Sequence, residues 1–329
     1  MQTKRILFIN FGGLGDEILF LPTIQSIKKE FPNSHITLAL EERSKGITNL
    51  TNIIDKTIFV NIKNKNKYKE LFNLLIKIWG SNFDIVISTG SNKFISIFLF
   101  MTFIKEKYGY NTGKLSEFLL TKTVDLNKNR YAVQMYQELA KPLTNTITEL
   151  PELSIQKKPT IKNSVLIHPG VSKISVQKGM IKTIPATEWA RVVETLANRG
   201  KQVFLIGGPD DKECIDIITQ KVPAEKFENL YGTTKSLKEL AELISSAEIF
   251  LCSDSAPLHI AVSLGIKTFA IFGSTDDKKL IPQNNNVIAI KAKCNCPLQP
   301  CLWEKRQTTC EALDCLKISA AQIVEKILE

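Results

Sequence analysis

Three turns carry the side chains of this chain that could do chemistry. The first is Asn10-Phe11-Gly12-Gly13-Leu14-Gly15-Asp16. Gly12, Gly13 and Gly15 allow close backbone approach to a ligand, and Asp16 places one carboxylate at the turn. The glycine spacing is neither G-x-G-x-x-G nor G-x-x-x-x-G-K-[ST], so neither the dinucleotide fingerprint nor a P-loop is met. Asp16 suits a general base and equally suits a cap on the helix that follows. The second turn is His168-Pro169-Gly170-Val171-Ser172-Lys173, followed after a polar insertion by Lys182-Thr183-Ile184-Pro185 and Trp189. A turn with exposed amides, a hydroxyl and a lysine suits phosphate, although most lysines are simply solvated. The third is Ser253-Asp254-Ser255-Ala256-Pro257-Leu258-His259. Asp254 or Ser255 is expected to N-cap a helix with Pro257 in its first turn. Such a helix end can neutralise a diphosphate, with His259 one turn further in; a capped helix with a satisfied histidine is the alternative.

A fourth cluster is cysteine-rich. Cys294, Cys296, Cys301, Cys310 and Cys315 fall within 22 residues, out of seven cysteines in the chain. Their spacing, C-x-C-x₄-C-x₈-C-x₄-C, is not that of a standard zinc ribbon. The readings are a structural Zn or Fe site using four of the five thiolates, reduced thiols packing a long loop, or a disulfide.

The elements that must position these turns alternate strand and helix. Short apolar runs at Arg5–Asn10, His35–Leu40, Thr57–Val60 and Phe83–Ser88 read as buried parallel strands. Helices fit 17–29, Tyr68–Trp79 and Asn92–Ile104. A Pro- and Lys-containing linker at Leu150–Asn163 precedes a second series: strands at Ser164–His168, Gln202–Ile206, Ile249–Cys252 and Thr268–Phe272, and helices at Thr187–Arg199, Ser236–Ser246, Pro257–Leu264 and Ser319–Leu328. Asp210 or Asp211 is placed to cap a helix after Gly207-Gly208-Pro209. This winding predicts an α/β protein with two doubly wound domains, 1–155 and 156–329, facing a central cleft. The second domain carries the cysteine-rich tail 294–315 and a final helix.

Composition bounds the rest. The chain has 329 residues, 43% of them apolar and 23% charged, enough to bury two ordinary cores. Its net charge is +10. Residues 1–160 hold 22 Lys and Arg against 14 Asp and Glu, whereas residues 161–329 hold 21 against 19. The basic first half points to an anionic partner or to a Lys-rich solvated surface. The most apolar stretch, Phe94–Ile104, is about half the roughly 20 residues that span a bilayer. It is expected to cover a sheet face rather than touch membrane. The N-terminus lacks a signal-peptide h-region, so a cytoplasmic protein with reduced cysteines is expected. Lys63, Lys65 and Lys67 alternate with asparagines on a solvated loop. No aromatic interleaving accompanies the basic residues, which argues against nucleic acid.

In this order, GGLGDEILFLPTIQSIKKEFP, HPG…K-x-x-P…W and SDSAPLHIAVSLGIKTFAIFGSTD resemble glycosyltransferase family 9, the heptosyltransferases, over nearly the whole chain. The resemblance implies a GT-B fold of two Rossmann-like domains, the first taking the acceptor and the second an ADP-sugar. It implies Asp16 as catalytic base, and Ser172, Lys182, Asp254, Ser255, Ala256 and His259 as donor-binding residues. The family's Thr-Gly is Ser-Ala here, at Ser255 and Ala256. The Val171–Lys182 loop is longer than in the simplest members, and Ile184 replaces the usual aromatic before the proline. The implied acceptor is an anionic glycolipid, the lipopolysaccharide core, with peripheral contact on the inner face of the inner membrane. The implied chemistry is an inverting displacement of ADP that needs no metal. No D-x-D triplet occurs in the chain, which agrees. Family members that modify proteins hold iron at a comparable cysteine tail, so a protein acceptor is the alternative. A non-catalytic nucleotide-sugar- or metal-binding module is a further one.

Overall fold

The structure is a computed structural model describing residues 3–63, 66–302 and 310–329. The chain divides into two compact units between Ser154 and Ile155. The first contains β1 (Arg5–Asn10), α1 (Leu14–Glu30), β2 (His35–Glu41), β3 (Lys56–Val60), α2 (Lys67–Trp79), β4 (Ile85–Ser88), α3 (Lys93–Met101), β5 (Glu106–Tyr110), α4 (Lys114–Leu119), β6 (Lys122–Val124) and α5 (Ala132–Gln137). Its six strands are all parallel, in the order β3-β2-β1-β4-β5-β6. The apolar run of β1 is buried throughout after Arg5, as a strand covered on both faces requires. One face packs Leu7 and Ile9 against Leu74, Leu75 and Ile78 of α2 and Phe98 and Leu99 of α3.

The second unit contains β7 (Ile161–His168), α6 (Lys173–Gln177), α7 (Ala186–Asn198), β8 (Gln202–Leu205), α8 (Lys212–Lys221), β9 (Glu228–Asn229), α9 (Leu237–Ser245), β10 (Ala247–Ser253), α10 (Ala256–Leu264), β11 (Lys267–Ile271), α11 (Asp277–Leu280), β12 (Val287–Ile290) and α12 (Ala320–Leu328). Its order is β12-β11-β10-β7-β8-β9, again all parallel. Read from β9, this repeats the winding of the first unit. In each sheet the order reverses once, between β1 and β4 and between β7 and β10. Ligands of open α/β sheets bind outside the carboxyl ends of the strands at such a point. Trp189 of α7 is fully buried in the core of this unit, which also receives Leu316 and Ile323 from the C-terminal segment.

Three expectations need correction. The stretch Asn92–Ile104 does not simply cover the sheet: Ser96, Phe98 and Leu99 are buried, but Phe94, Ile97, Phe100 and Met101 are exposed. The polar insertion after Ser172 forms a short helix, α6. Short strands β5, β6 and β9 complete the sheets where few apolar residues announce them, and the short apolar run Val287–Ile290 forms the further strand β12. Of the three alternating lysines, Lys65 lies outside the described residues. No helix among the described residues is long and apolar enough to cross a membrane.

Candidate active site

Each unit gathers chemistry-bearing groups at the carboxyl ends of its central strands. In the first unit, β1 leads through Gly12 and Gly13 directly into α1. The Asp16 carboxylate turns back, and its Oδ2 accepts a 2.7 Å hydrogen bond from the Gly13 amide. The capping role is therefore present, and it uses one oxygen. Oδ1 has no hydrogen bond among the described residues. The turn requires glycine at position 12, because a Cβ there would lie 2.3 Å from Asp16 Cβ.

Beneath Asp16 lies a group that sequence reasoning missed. Glu17 is buried, and neither of its carboxylate oxygens has a hydrogen-bond partner. Burial, then the neighbouring Asp16 charge, pushes its carboxyl well above the usual range, outweighing the opposing charge of Arg43. Arg43 Nε stands 3.7 Å from Glu41 Oε2. Asn10 Oδ1 accepts from Thr89 Oγ1 at 2.8 Å. Burial and then the field of Asp16 push the hydroxyl of the half-buried Tyr136 well above its ordinary pKa. The only available signal for this layer was the acid pair Asp16-Glu17, which reads as an ordinary acidic first turn of a helix.

In the second unit, Lys182 Nζ lies 3.1 Å from Oδ2 of the buried Asp254. Burial pushes the Asp254 carboxyl upward, but the charges of Lys182 and then His259, with the Thr275 hydroxyl, outweigh it and hold it below its ordinary value. The lysine is held in place by its neighbour. Thr183 Oγ1 donates to Pro169 O at 2.8 Å and accepts from Ser253 Oγ at 2.7 Å and from Trp189 Nε1 at 2.9 Å. Ser274 Oγ donates to Ile181 O at 2.8 Å. Asp254 and Ser255 lead into α10, with Ser255 at the N-cap position, Ala256 as its first residue and His259 buried one turn on.

Ser255 makes no side-chain cap. Its hydroxyl instead lies 3.4 Å from His168 Nδ1. His168 Nε2 lies 3.2 Å from Asp211 Oδ2, an oxygen that also accepts from the Gly208 amide at 2.8 Å. Asp211 therefore serves His168 and the Gly208 turn, not the helix cap expected of it. Gly170 makes this approach feasible: a Cβ there would sit 1.6 Å from Asp211 Oδ1. The pairing of His168 with Asp211 was not anticipated from sequence. Ser172 is exposed ahead of α6, and no hydrogen bond ties its hydroxyl to the other site residues. The assembled group thus contains Lys182, Asp254, Ser255, Ala256 and His259, with Ser172 outside its hydrogen-bond network. An ammonium beside the amino end of α10, with free amides and a hydroxyl, is suited to a phosphate-bearing ligand.

The cysteines behave differently from one another. Burial, followed by nearby Cys294, Cys301 and Cys310, pushes the Cys315 thiol up to about 11. Cys294 Sγ donates to Gln299 Oε1 at 3.2 Å. Cys296 does not enter this set. Among the described residues, no three His, Cys, Asp or Glu side chains converge closely enough to hold a metal ion.

Two doubly wound parallel units are the GT-B organisation, a fold of glycosyltransferases. Residues 72–310 match Glycosyltransferase family 9 (heptosyltransferase), and the chain belongs to that family. It is 25% identical over 296 residues to lipopolysaccharide heptosyltransferase 3 of Escherichia coli, covering 83% of this chain and 85% of the relative. It is 24% identical over 324 residues to lipooligosaccharide heptosyltransferase 2 of Campylobacter jejuni, covering 95% of each. Among solved structures, a family 9 glycosyltransferase of Veillonella parvula superposes with a TM-score of 0.78 at 22% identity, over 100% of this chain and 97% of that one. The E. coli heptosyltransferase WaaC with ADP-2-deoxy-2-fluoro heptose gives 0.73 at 16% identity, over 98% and 99%. The iron-containing dodecameric glycosyltransferase TibC of enterotoxigenic E. coli gives 0.58 at 13%, over 100% and 79%.

Proposed function

We propose that this chain is an inverting, metal-independent heptosyltransferase. It moves a heptose-type sugar from an ADP-sugar to a hydroxyl of a lipopolysaccharide-core-like acceptor. The donor reading draws on the ADP-heptose analogue in the WaaC structure's description, and the acceptor reading on the names of the E. coli and C. jejuni relatives. The observation that carries it is Lys182, held 3.1 Å from Asp254 just before α10, where a leaving diphosphate would find both an ammonium and a helix amino end.

In this reading the acceptor hydroxyl oxygen bonds to the anomeric carbon as the bond from that carbon to the diphosphate oxygen breaks. The electron pair leaves on ADP, the hydroxyl proton passes to Asp16 Oδ1, and the anomeric configuration inverts. Lys182 and the α10 amides stabilise charge growing on the diphosphate, a role otherwise open to a divalent cation. The test is Asp16→Asn, which keeps an oxygen to accept from the Gly13 amide and removes the base. Transfer from ADP-heptose is expected to fall by about 10²- to 10⁴-fold with ADP binding retained. Undiminished transfer would remove Asp16 from the chemistry.

A second reading, a protein acceptor with a metal-bearing tail, draws on Cys294, Cys301, Cys310 and Cys315 of the cysteine-rich tail and on the TibC likeness. A structural Zn or Fe would need those four thiols to lose their protons and draw together. No step of the transfer passes through it.

A further inference from the structure

We propose that the outer surface of α2, α3 and α4 in the first unit is a docking face for an anionic lipid bilayer. Three phenylalanines stand almost fully in solvent there: Phe94 is 80% exposed, Phe103 76% and Phe118 84%. Trp79, Phe100 and Leu115 are also exposed. The ends of α2 and α3 join within this face. The Trp79 and Phe103 rings lie 6.2 Å apart, and Trp79 Nε1 donates to Met101 O at 2.8 Å. Alongside them, a depression of about 520 Å³ is lined by Trp79, Phe83, Phe103 and Ile104. Phe103 holds a φ of 57°, a conformation unfavourable for a bulky L-residue, and its ring is still presented outward. An apolar patch of this extent on a soluble surface marks an interaction site.

Charge selects the occupant. Exposed Lys93, Lys105, Lys114 and Lys122 border the patch, and α3 carries no acidic residue. The nearest acids are engaged elsewhere: Glu117 accepts from Asn111 Nδ2 at 2.9 Å, and Glu106 lies 3.7 Å from Lys4. A second copy docked by two-fold symmetry would set this lysine rim against itself. An anionic headgroup layer meets it with opposite charge, while the aromatic rings enter the headgroup–acyl boundary.

The test uses the full chain with vesicles of phosphatidylcholine alone or mixed with phosphatidylglycerol, read by co-sedimentation. Binding is expected to the mixed vesicles only and to weaken as salt is raised. Phe94→Ser/Phe103→Ser/Phe118→Ser should weaken it at least tenfold with an unchanged melting temperature. Lys93→Glu/Lys114→Glu should weaken it while leaving the apolar face intact. No binding to the mixed vesicles, or binding indifferent to the triple variant, overturns the proposal. So does light scattering that shows a dimer which the triple variant dissociates, since the face would then belong to a second copy.

Discussion

Lys182 Nζ and Asp254 Oδ2 are 3.1 Å apart, and the aspartate is the buried partner. In the proposed donor site, a diphosphate at α10 would meet a lysine already neutralised by a carboxylate, and the two anions would share it. Lys182→Met is expected to weaken ADP binding and slow transfer together. It should also lower stability by about 1–3 kcal/mol, less than for a fully buried pair because the lysine side is partly exposed. Thermal unfolding with and without ADP measures both effects. At about 100 times its dissociation constant, ADP should stabilise the parent by roughly 2.7 kcal/mol and the variant by less. Equal stabilisation of both would take Lys182 out of the phosphate site.

His168 is placed to act on a donor only through Ser255. With Nε2 facing Asp211, Nδ1 faces the Ser255 hydroxyl and fixes where that hydroxyl points. His168→Gln is expected to weaken ADP binding several-fold. Ser255→Ala should do the same, and the double variant should lose little more than either alone, since both remove one arrangement. Isothermal titration of the four proteins decides; additive losses would mean that the two side chains act separately.

Glu17 links stability to pH in an unusual direction. An acid held above its ordinary 4.5 by burial keeps its proton in the folded chain while the unfolded chain releases it. Its contribution is complete below about 4.5 and declines as pH rises through the folded value. Glu17→Gln is therefore expected to raise the melting temperature at pH 8 and to change little at pH 4. A variant destabilised equally at both pH values would show that Glu17 is held by contacts and not by its proton.

If Lys182 and α10 meet the diphosphate as proposed, removal of divalent ions should leave transfer unchanged. Turnover in EDTA is the measurement, and a large loss would bring a metal into the reaction. The same treatment tests the tail. Zinc or iron released by chelation, together with a lower melting temperature absent from Cys315→Ser, would assign the thiols a structural ion.

Much of the architecture was legible because parallel strands buried on both faces read as unbroken apolar runs, as in β1 and β10. Gly12 and Gly170 were visible as residues, but only the folded chain shows that each makes room for an aspartate, Asp16 and Asp211. The pairing of His168 with Asp211 was hidden because 43 positions separate them and β8 brings them together. Asp211 and Ser255 looked like helix caps because local sequence favours that reading; tertiary partners claimed both side chains. The outward phenylalanines of α3 misled for a related reason, since composition does not reveal which stripe of a short apolar helix the sheet will cover.

The repeated strand order has an evolutionary consequence. In each unit most of the candidate site groups sit on the turns that leave the strands and on the first turns of the helices that follow, as Asp16 of α1 and His259 of α10 do, while the strands contribute mainly packing. The loops of the first unit can therefore drift or be exchanged without disturbing Lys182, Asp254 or α10. On the proposed division, with the acceptor taken by the first unit and the donor by the second, a lineage could acquire new sugar acceptors while inheriting one donor machinery, and grafting loops from a relative onto the first sheet would be the corresponding route to altered acceptor choice.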